Sequence, residues 1–175
     1  VWAEANTREA IFDALRRRET FATSGPRISV RFFAGTDYAD DALTRTDALE
    51  QAYAGGVPMG GELRSGAASP GFLVWADMDP KGTRLQRVQV VKVWSENGSA
   101  QEAIHDVACS DGGVPDAATR RCPANGASVN LADCSVSAHG AASLSAAWRD
   151  PDFDPAQRAV YYVRVLENPS CRWRT

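Results

Sequence analysis

A mainly β fold is predicted for this 175-residue chain. The class is a β-sandwich or jelly-roll-like barrel of seven or eight strands, with an N-terminal α-helix and one further short helix. Three observations lead there. Apolar and polar residues alternate along Leu85–Trp94 and Ala159–Leu166, and a period of two is the mark of a strand. Turns containing Gly or Pro recur between such segments, and many short strands joined that way fold as sandwiches or barrels. Helical periodicity, by contrast, is confined to the N-terminus and one stretch near residue 50.

The elements follow in order. Asn6 can cap a helix, and Glu9 stands three residues on, as in a capping box. Ala10, Ile11, Ala14 and Leu15 then recur at helical spacing, and Arg16, Arg17 and Arg18 suit a last turn, because cations stabilise a helix C-terminus. The predicted helix runs from Thr7 to Arg18. Phe21–Ser24 reads as extended and ends at Gly25-Pro26. Ile28, Val30 and Phe32 alternate with Arg27, Ser29 and Arg31, a half-buried strand. Ala34–Arg45 is polar and reads as loop. Thr46–Ala54 suits a short helix stopped by Gly55-Gly56. Val57 to Gly61 is a turn leading to a strand around Glu62-Leu63, and Ser65–Pro70 is a small-residue linker. Phe72–Ala76 is a continuous apolar run, as in an interior strand. Asp77–Gly82 turns the chain into Leu85–Trp94. Asn97-Gly98 is a hairpin signal, with Ala103–Ala108 returning. Ser110–Gly126 reads as loop, followed by short strands at Ser128–Leu131, Cys134–Ser137 and Ala142–Trp148. Asp150–Pro155 is a loop, and Ala159–Leu166 reads as a central strand.

Composition narrows the function classes. Net charge is −3, and no face is evidently rich in Lys and Arg, so no nucleic-acid partner is expected. No apolar run approaches the ~20 residues that span a bilayer. The chain starts with Val and enters a helix cap almost at once, so both ends are expected to be cuts through a longer protein, and a missing export signal then says little.

Cys109, Cys122, Cys134 and Cys171 are widely and irregularly spaced. No Cys-x-x-Cys pair exists, and neither histidine stands at zinc-like spacing from a cysteine. Two disulfides, and therefore an oxidising compartment, are expected. Four cysteines permit three connectivities, and spacing does not choose among them. Nearest-neighbour order would give Cys109–Cys122 and Cys134–Cys171, contributing about 3 and about 4 kcal/mol by loop entropy. Four reduced, buried cysteines are the alternative.

Catalytic constellations are sparse. His105 lies in a predicted strand beside Asp106, and strand neighbours point to opposite faces, so the two cannot grip one ligand. His139 lies in a loop. A hydrolytic metal centre needs several converging His and carboxylate ligands. No serine occupies a Gly-x-Ser-x-Gly elbow. Gly55-Gly56 and Gly60-Gly61 lack the Lys and Ser/Thr of a phosphate loop and read as backbone turns. Asp150, Asp152 and Asp154 alternate along a loop, where carboxylates can converge on Ca²⁺. The glycine and distal glutamate of a calcium loop are missing, so a rigid capped turn is the preferred reading and calcium the alternative. Trp75, Trp94 and Trp148 fall in strands, where core packing competes with a sugar-stacking platform.

Several stretches together are familiar: Val1 to Leu15 leading into Thr20 to Ile28, then Gly55 to Gly61, then Trp148 to Ala159, and finally Tyr162 to Glu167. In this order they resemble the C-terminal portion of the domain-of-unknown-function 3604 family, along nearly the whole chain. That family comprises long, mostly exported bacterial proteins whose N-terminal part resembles the PHP (polymerase and histidinol phosphatase) metal-dependent phosphoesterase fold. The resemblance implies that residues 1–25 are the terminal helix and connector of an upstream hydrolase barrel, and residues 26–175 an appended β-domain. The family's metal-binding motifs belong upstream and match no position here, so no catalytic, cofactor or metal residue is carried over. Family members continue past Arg172–Thr175.

The expected function is therefore a non-catalytic accessory domain, periplasmic or secreted, supporting the barrel or its substrate entrance. Its expected partner is the upstream hydrolase domain of the same chain. Any divalent metal would belong to the parent protein. Two other readings stand beside it: a carbohydrate- or ligand-binding module, and part of a phosphoesterase site completed by the upstream region.

Overall fold

The computed structural model describes residues 1–39, 41–64 and 66–171. Ser65, at the head of the expected linker, and the closing Arg172–Thr175 stretch lie outside these. The element order is α1 (Arg8–Arg17), β1 (Ser29–Gly35), α2 (Ala48–Ala54), β2 (Gly56–Pro58), β3 (Gly71–Asp77), β4 (Leu85–Glu96), β5 (Ser99–Cys109), β6 (Ser143–Arg149) and β7 (Ala159–Glu167). Among the described residues seven strands form two antiparallel sheets, ordered β2-β1-β3-β6 and β5-β4-β7. The mainly β class is as predicted, with the strand complement of a sandwich.

The chain divides into two compact units. The first comprises Val1–Thr23, Arg31–Val74 and Ala146–Arg158. Its helix α1 is capped by Thr7 rather than Asn6: the Thr7 Oγ1 accepts from the Ala10 amide at 3.3 Å. A capping oxygen must meet the amide three residues on, so moving the cap by one residue dissolves the expected pairing with Glu9. The aromatic core is a ladder in which Phe32 stacks on Phe72, and Phe72 meets Trp148 at a tilt of 38°, each pair at 5.5 Å between centroids. Phe33 meets Tyr53 edge-on at 4.8 Å. Both Phe32 and Phe33 are buried, so β1 has two covered faces here, not the single one that alternation suggested.

Gly55 and Gly56 do not serve as turn residues with left-handed backbone. They make room for Tyr38, whose hydroxyl donates to the Ala52 carbonyl at 2.9 Å. A Cβ at Gly56 would run into the Tyr38 hydroxyl and the Ala34 carbonyl. Burial pushes the Tyr38 phenol up to about 12. Gly60, in contrast, does turn the chain, at φ +80°. That turn is closed by Gly61 N–H to the Pro58 carbonyl. It explains why the strand expected at Glu62-Leu63 lies instead at Gly56–Pro58, in register with Phe33–Gly35 of β1: the residues after the turn have already left the sheet.

The second unit comprises Ser24–Val30, Trp75–Ser145 and Ala159 onward. Its centre is β4, paired antiparallel with β5 and β7. Leu85, Val88, Val90 and Val91 are fully buried. Fully burying an apolar side chain of this size stabilises by about 1.5–3 kcal/mol. Asn97 and Gly98, at φ +51° and +79°, turn β4 into β5 as the hairpin motif predicts. The disulfides are Cys109–Cys122 and Cys134–Cys171, each with Cα atoms 5.6 Å apart.

Two expectations are corrected here. Among the described residues β7 is an edge strand, not a central one, with Val160 and Tyr162 well exposed; apolar residues at both parities imitated two-sided burial. Ser128–Leu131 and Cys134–Ser137 form only one bridge, Val129 to Val136. Side chains take the backbone groups a ladder would need. Ser137 Oγ accepts from Ser128 N–H at 3.0 Å, and Asp133 Oδ1 from Ser135 N–H at 2.9 Å.

Candidate functional site

The Asp-rich loop lies in the first unit. Asp150 is buried, whereas Asp152 and Asp154 are not. Asp150 Oδ1 accepts from the Asp152 amide at 2.9 Å, and Asp154 Oδ1 from the Ala156 amide at 2.9 Å. Each bond directs one carboxylate oxygen to the loop's own backbone, the geometry of consecutive Asx turns. Phe153 and Gln157 amides donate to the Asp150 and Asp154 carbonyls.

The histidines both lie in the second unit. His105 pairs with Val90 and Asp106 with Gln89, so these neighbours occupy opposite faces of β5. The carbonyl of His139 accepts from Asn168 Nδ2 at 2.8 Å. Among the described residues the tryptophans are partly buried. Trp2 lies under the Arg31 guanidinium at 3.6 Å, Trp148 ends the aromatic ladder, and Trp94 has the Lys92 ammonium 5.3 Å from its centroid. Lys92 is itself buried, and its ammonium also lies 5.9 Å from the Tyr161 ring centroid.

Sequence reasoning missed the strongest polar cluster. The Asp106 side chain is fully buried. It accepts from Gln89 Nε2 at 2.6 Å, Cys122 N–H at 2.7 Å and an Arg87 guanidinium nitrogen at 3.0 Å, with Arg121 at 3.5 Å. Gln89 Oε1 in turn accepts from Arg164 at 2.8 Å. Burial alone would push this carboxyl up, but hydrogen bonds from Cys122, Gln89 and Arg87 outweigh it and hold Asp106 below the usual carboxylate range. A register shift at Val88/Gln89 and the Cys109–Cys122 closure bring these groups together. Polar residues at alternate positions among the valines of β4, Arg87 and Gln89, were the available signal. The donors satisfy the Asp106 carboxylate and tie the disulfide loop to the sheet, which is a structural role.

The feature that points outward is α1. Ala14 is buried in the first unit, yet Phe12 is 56% exposed and Leu15 52% exposed, three residues apart on one side of the helix. Arg16 partly overlies Phe12, its guanidinium carbon 5.9 Å from the ring centroid. The helix is firmly held from behind. Glu19, just past its end, is buried, accepts from the Tyr53 hydroxyl and lies 3.6 Å from Arg17. Glu19 also raises the Tyr53 phenol, second to burial. The Trp2 amide donates to the Glu19 carbonyl at 3.1 Å, and Gly60 leaves space for the Arg18 backbone, which a Cβ would strike. The orientation of Phe12 and Leu15 is thereby fixed.

No curated protein and no solved structure matches this chain. The sequence does match a family described as protein of unknown function (DUF3604), over residues 1–175. Because that match runs the full length of the sequence, the chain belongs to the DUF3604 family.

Proposed function

We propose that this chain is a non-catalytic accessory β-domain of a larger PHP-like metal-dependent hydrolase, and that α1 is the element that docks on the hydrolase barrel. The observation that carries the reading is the pair Phe12 and Leu15, each more than half exposed on a helix whose opposite side is anchored. Covering both would add about 2–3 kcal/mol, since each has roughly half its surface left to bury. The resemblance of the upstream family region to a phosphoesterase barrel gives the partner. One observation supports the non-catalytic part: the Asp106 carboxylate is consumed by its donors. Two disulfides suit a periplasmic or secreted location, where thiols oxidise.

The test compares phosphoester turnover by the longer protein with and without residues 26–175, the shortened form being checked for folding by circular dichroism. Loss of turnover from a folded remainder supports an accessory role at the barrel or its entrance. Wild-type turnover from that remainder would refute it. Phosphoesterase activity from residues 1–175 alone, with added Mn²⁺ or Zn²⁺ and surviving repeated purification, would overturn the non-catalytic assignment.

A further inference from the structure

In the second unit a cleft of about 280 Å³ opens beside the Cys134–Cys171 disulfide. Its lining includes the apolar Met78, Val136 and Pro169 and the polar Arg84, Ser128 and Ser137. Among the described residues, Arg84 has no carboxylate within ion-pair distance, and its side chain is exposed. Guanidinium groups recognise carboxylates through two parallel hydrogen bonds.

The walls are tied to one another although none of the segments that meet there is a full sheet strand. Cys134–Cys171 joins the segment carrying Val136 and Ser137 to the one carrying Pro169. The Thr83 hydroxyl donates to the Asn168 carbonyl at 2.7 Å, and the Asn168 amide to the Arg84 carbonyl at 2.8 Å. Behind Arg84, Gly140 sits at φ +101°, where a Cβ would lie 2.6 Å from the Arg84 Cβ and 2.5 Å from Asn168 Nδ2. Wall segments held this way keep the cleft open before any ligand arrives, which lowers the cost of binding. The volume is just below that of drug-sized pockets, so the occupant is small. Among the described residues, no aromatic ring lines the cleft.

From this arrangement we infer that the cleft binds a small organic carboxylate, its head on Arg84 and the Ser128 and Ser137 hydroxyls, and its short aliphatic body against Met78, Val136 and Pro169. The site is independent of the α1 docking face, so it stands or falls separately from the accessory-domain reading.

Amide chemical-shift titration of the chain with butyrate tests it, alongside uncharged butyramide and inorganic phosphate. The expected result is saturable shifts at Ser128, Ser137 and Arg84 with a Kd on the order of 1–10 mM, as for a very small ligand. R84Q should weaken butyrate at least about tenfold, the scale of losing a charge-assisted pair, while R158Q, an exposed arginine of the first unit, should not. The C134S/C171S double variant should also weaken it. Butyramide binding as well as butyrate, phosphate binding more tightly than butyrate, an R84Q variant that binds normally, or no saturation by about 50 mM would each overturn the inference.

Discussion

Replacing Asp106 with Ala should be among the most damaging single changes in the second unit. The carboxylate has no exposed surface and accepts from Cys122 N–H, Gln89 and Arg87 within 3.0 Å. Removing it strands four donors, two of them cationic. Breaking a buried ion pair by deleting one partner costs about 3–5 kcal/mol. Arg87 keeps 19% and Arg121 43% of its side-chain exposure, so water can rescue part of the loss. The lower end, about 3 kcal/mol, is therefore expected. For a chain of this length that corresponds to a fall of about 6–12 °C in Tm. D106N keeps one acceptor and should cost less, about 1–2 kcal/mol. D116A is the control, because Asp116 is exposed and its bonds reach only Ala118 and Thr119; it should stay within about 0.5–1 kcal/mol of wild type. Urea denaturation followed by tryptophan fluorescence gives all three. If D106A matched D116A, the buried cluster would not hold the disulfide loop to the sheet.

Further outcomes follow from the same structure. The Asp106 carboxyl titrates below its unfolded value of about 3.9, so its contribution is complete above about pH 4 and is lost as pH falls through the folded value. The stability gap between wild type and D106N should accordingly shrink below about pH 4, and a gap that stayed constant on acidification would contradict the assignment. C134S/C171S opens a loop of sequence separation 37 and should cost about 2–4 kcal/mol in urea titrations; a loss under about 1 kcal/mol would mean the tail is held by other contacts. Gly56→Ala places a methyl against Tyr38 and the Ala34 carbonyl and should cost about 1–3 kcal/mol, whereas wild-type stability would show that the Tyr38 ring moves freely.

Much of this was legible from local pattern. Asn97-Gly98 fixed its hairpin because two consecutive left-handed residues are needed there. Leu85–Trp94 and Phe72–Ala76 declared themselves through apolar content. What escaped depended on distant partners. Gly55 and Gly56 looked like turn residues, since nothing nearby in sequence reveals that the Tyr38 ring fills their space. β7 looked central because Tyr161, Val163 and Val165 are as apolar as the residues facing outward. The Asp106 cluster draws on β4, β5, β7 and the Cys122 loop, a set that exists only once the strands pair. At the candidate docking face the apolar spacing of α1 was readable, but which of its residues stay uncovered was not: Ala14 is buried and Leu15, its neighbour, is not.

The central claim, that α1 rests against an upstream hydrolase barrel, is tested most directly by hydrogen exchange at the α1 amides. The longer protein carrying the upstream region is compared with residues 1–175 alone. Slowing of at least about tenfold at Phe12 to Leu15, a change of 1.4 kcal/mol, is predicted in the longer protein, and F12D/L15D should abolish it. Identical exchange in the two proteins, with the barrel folded, would contradict the account.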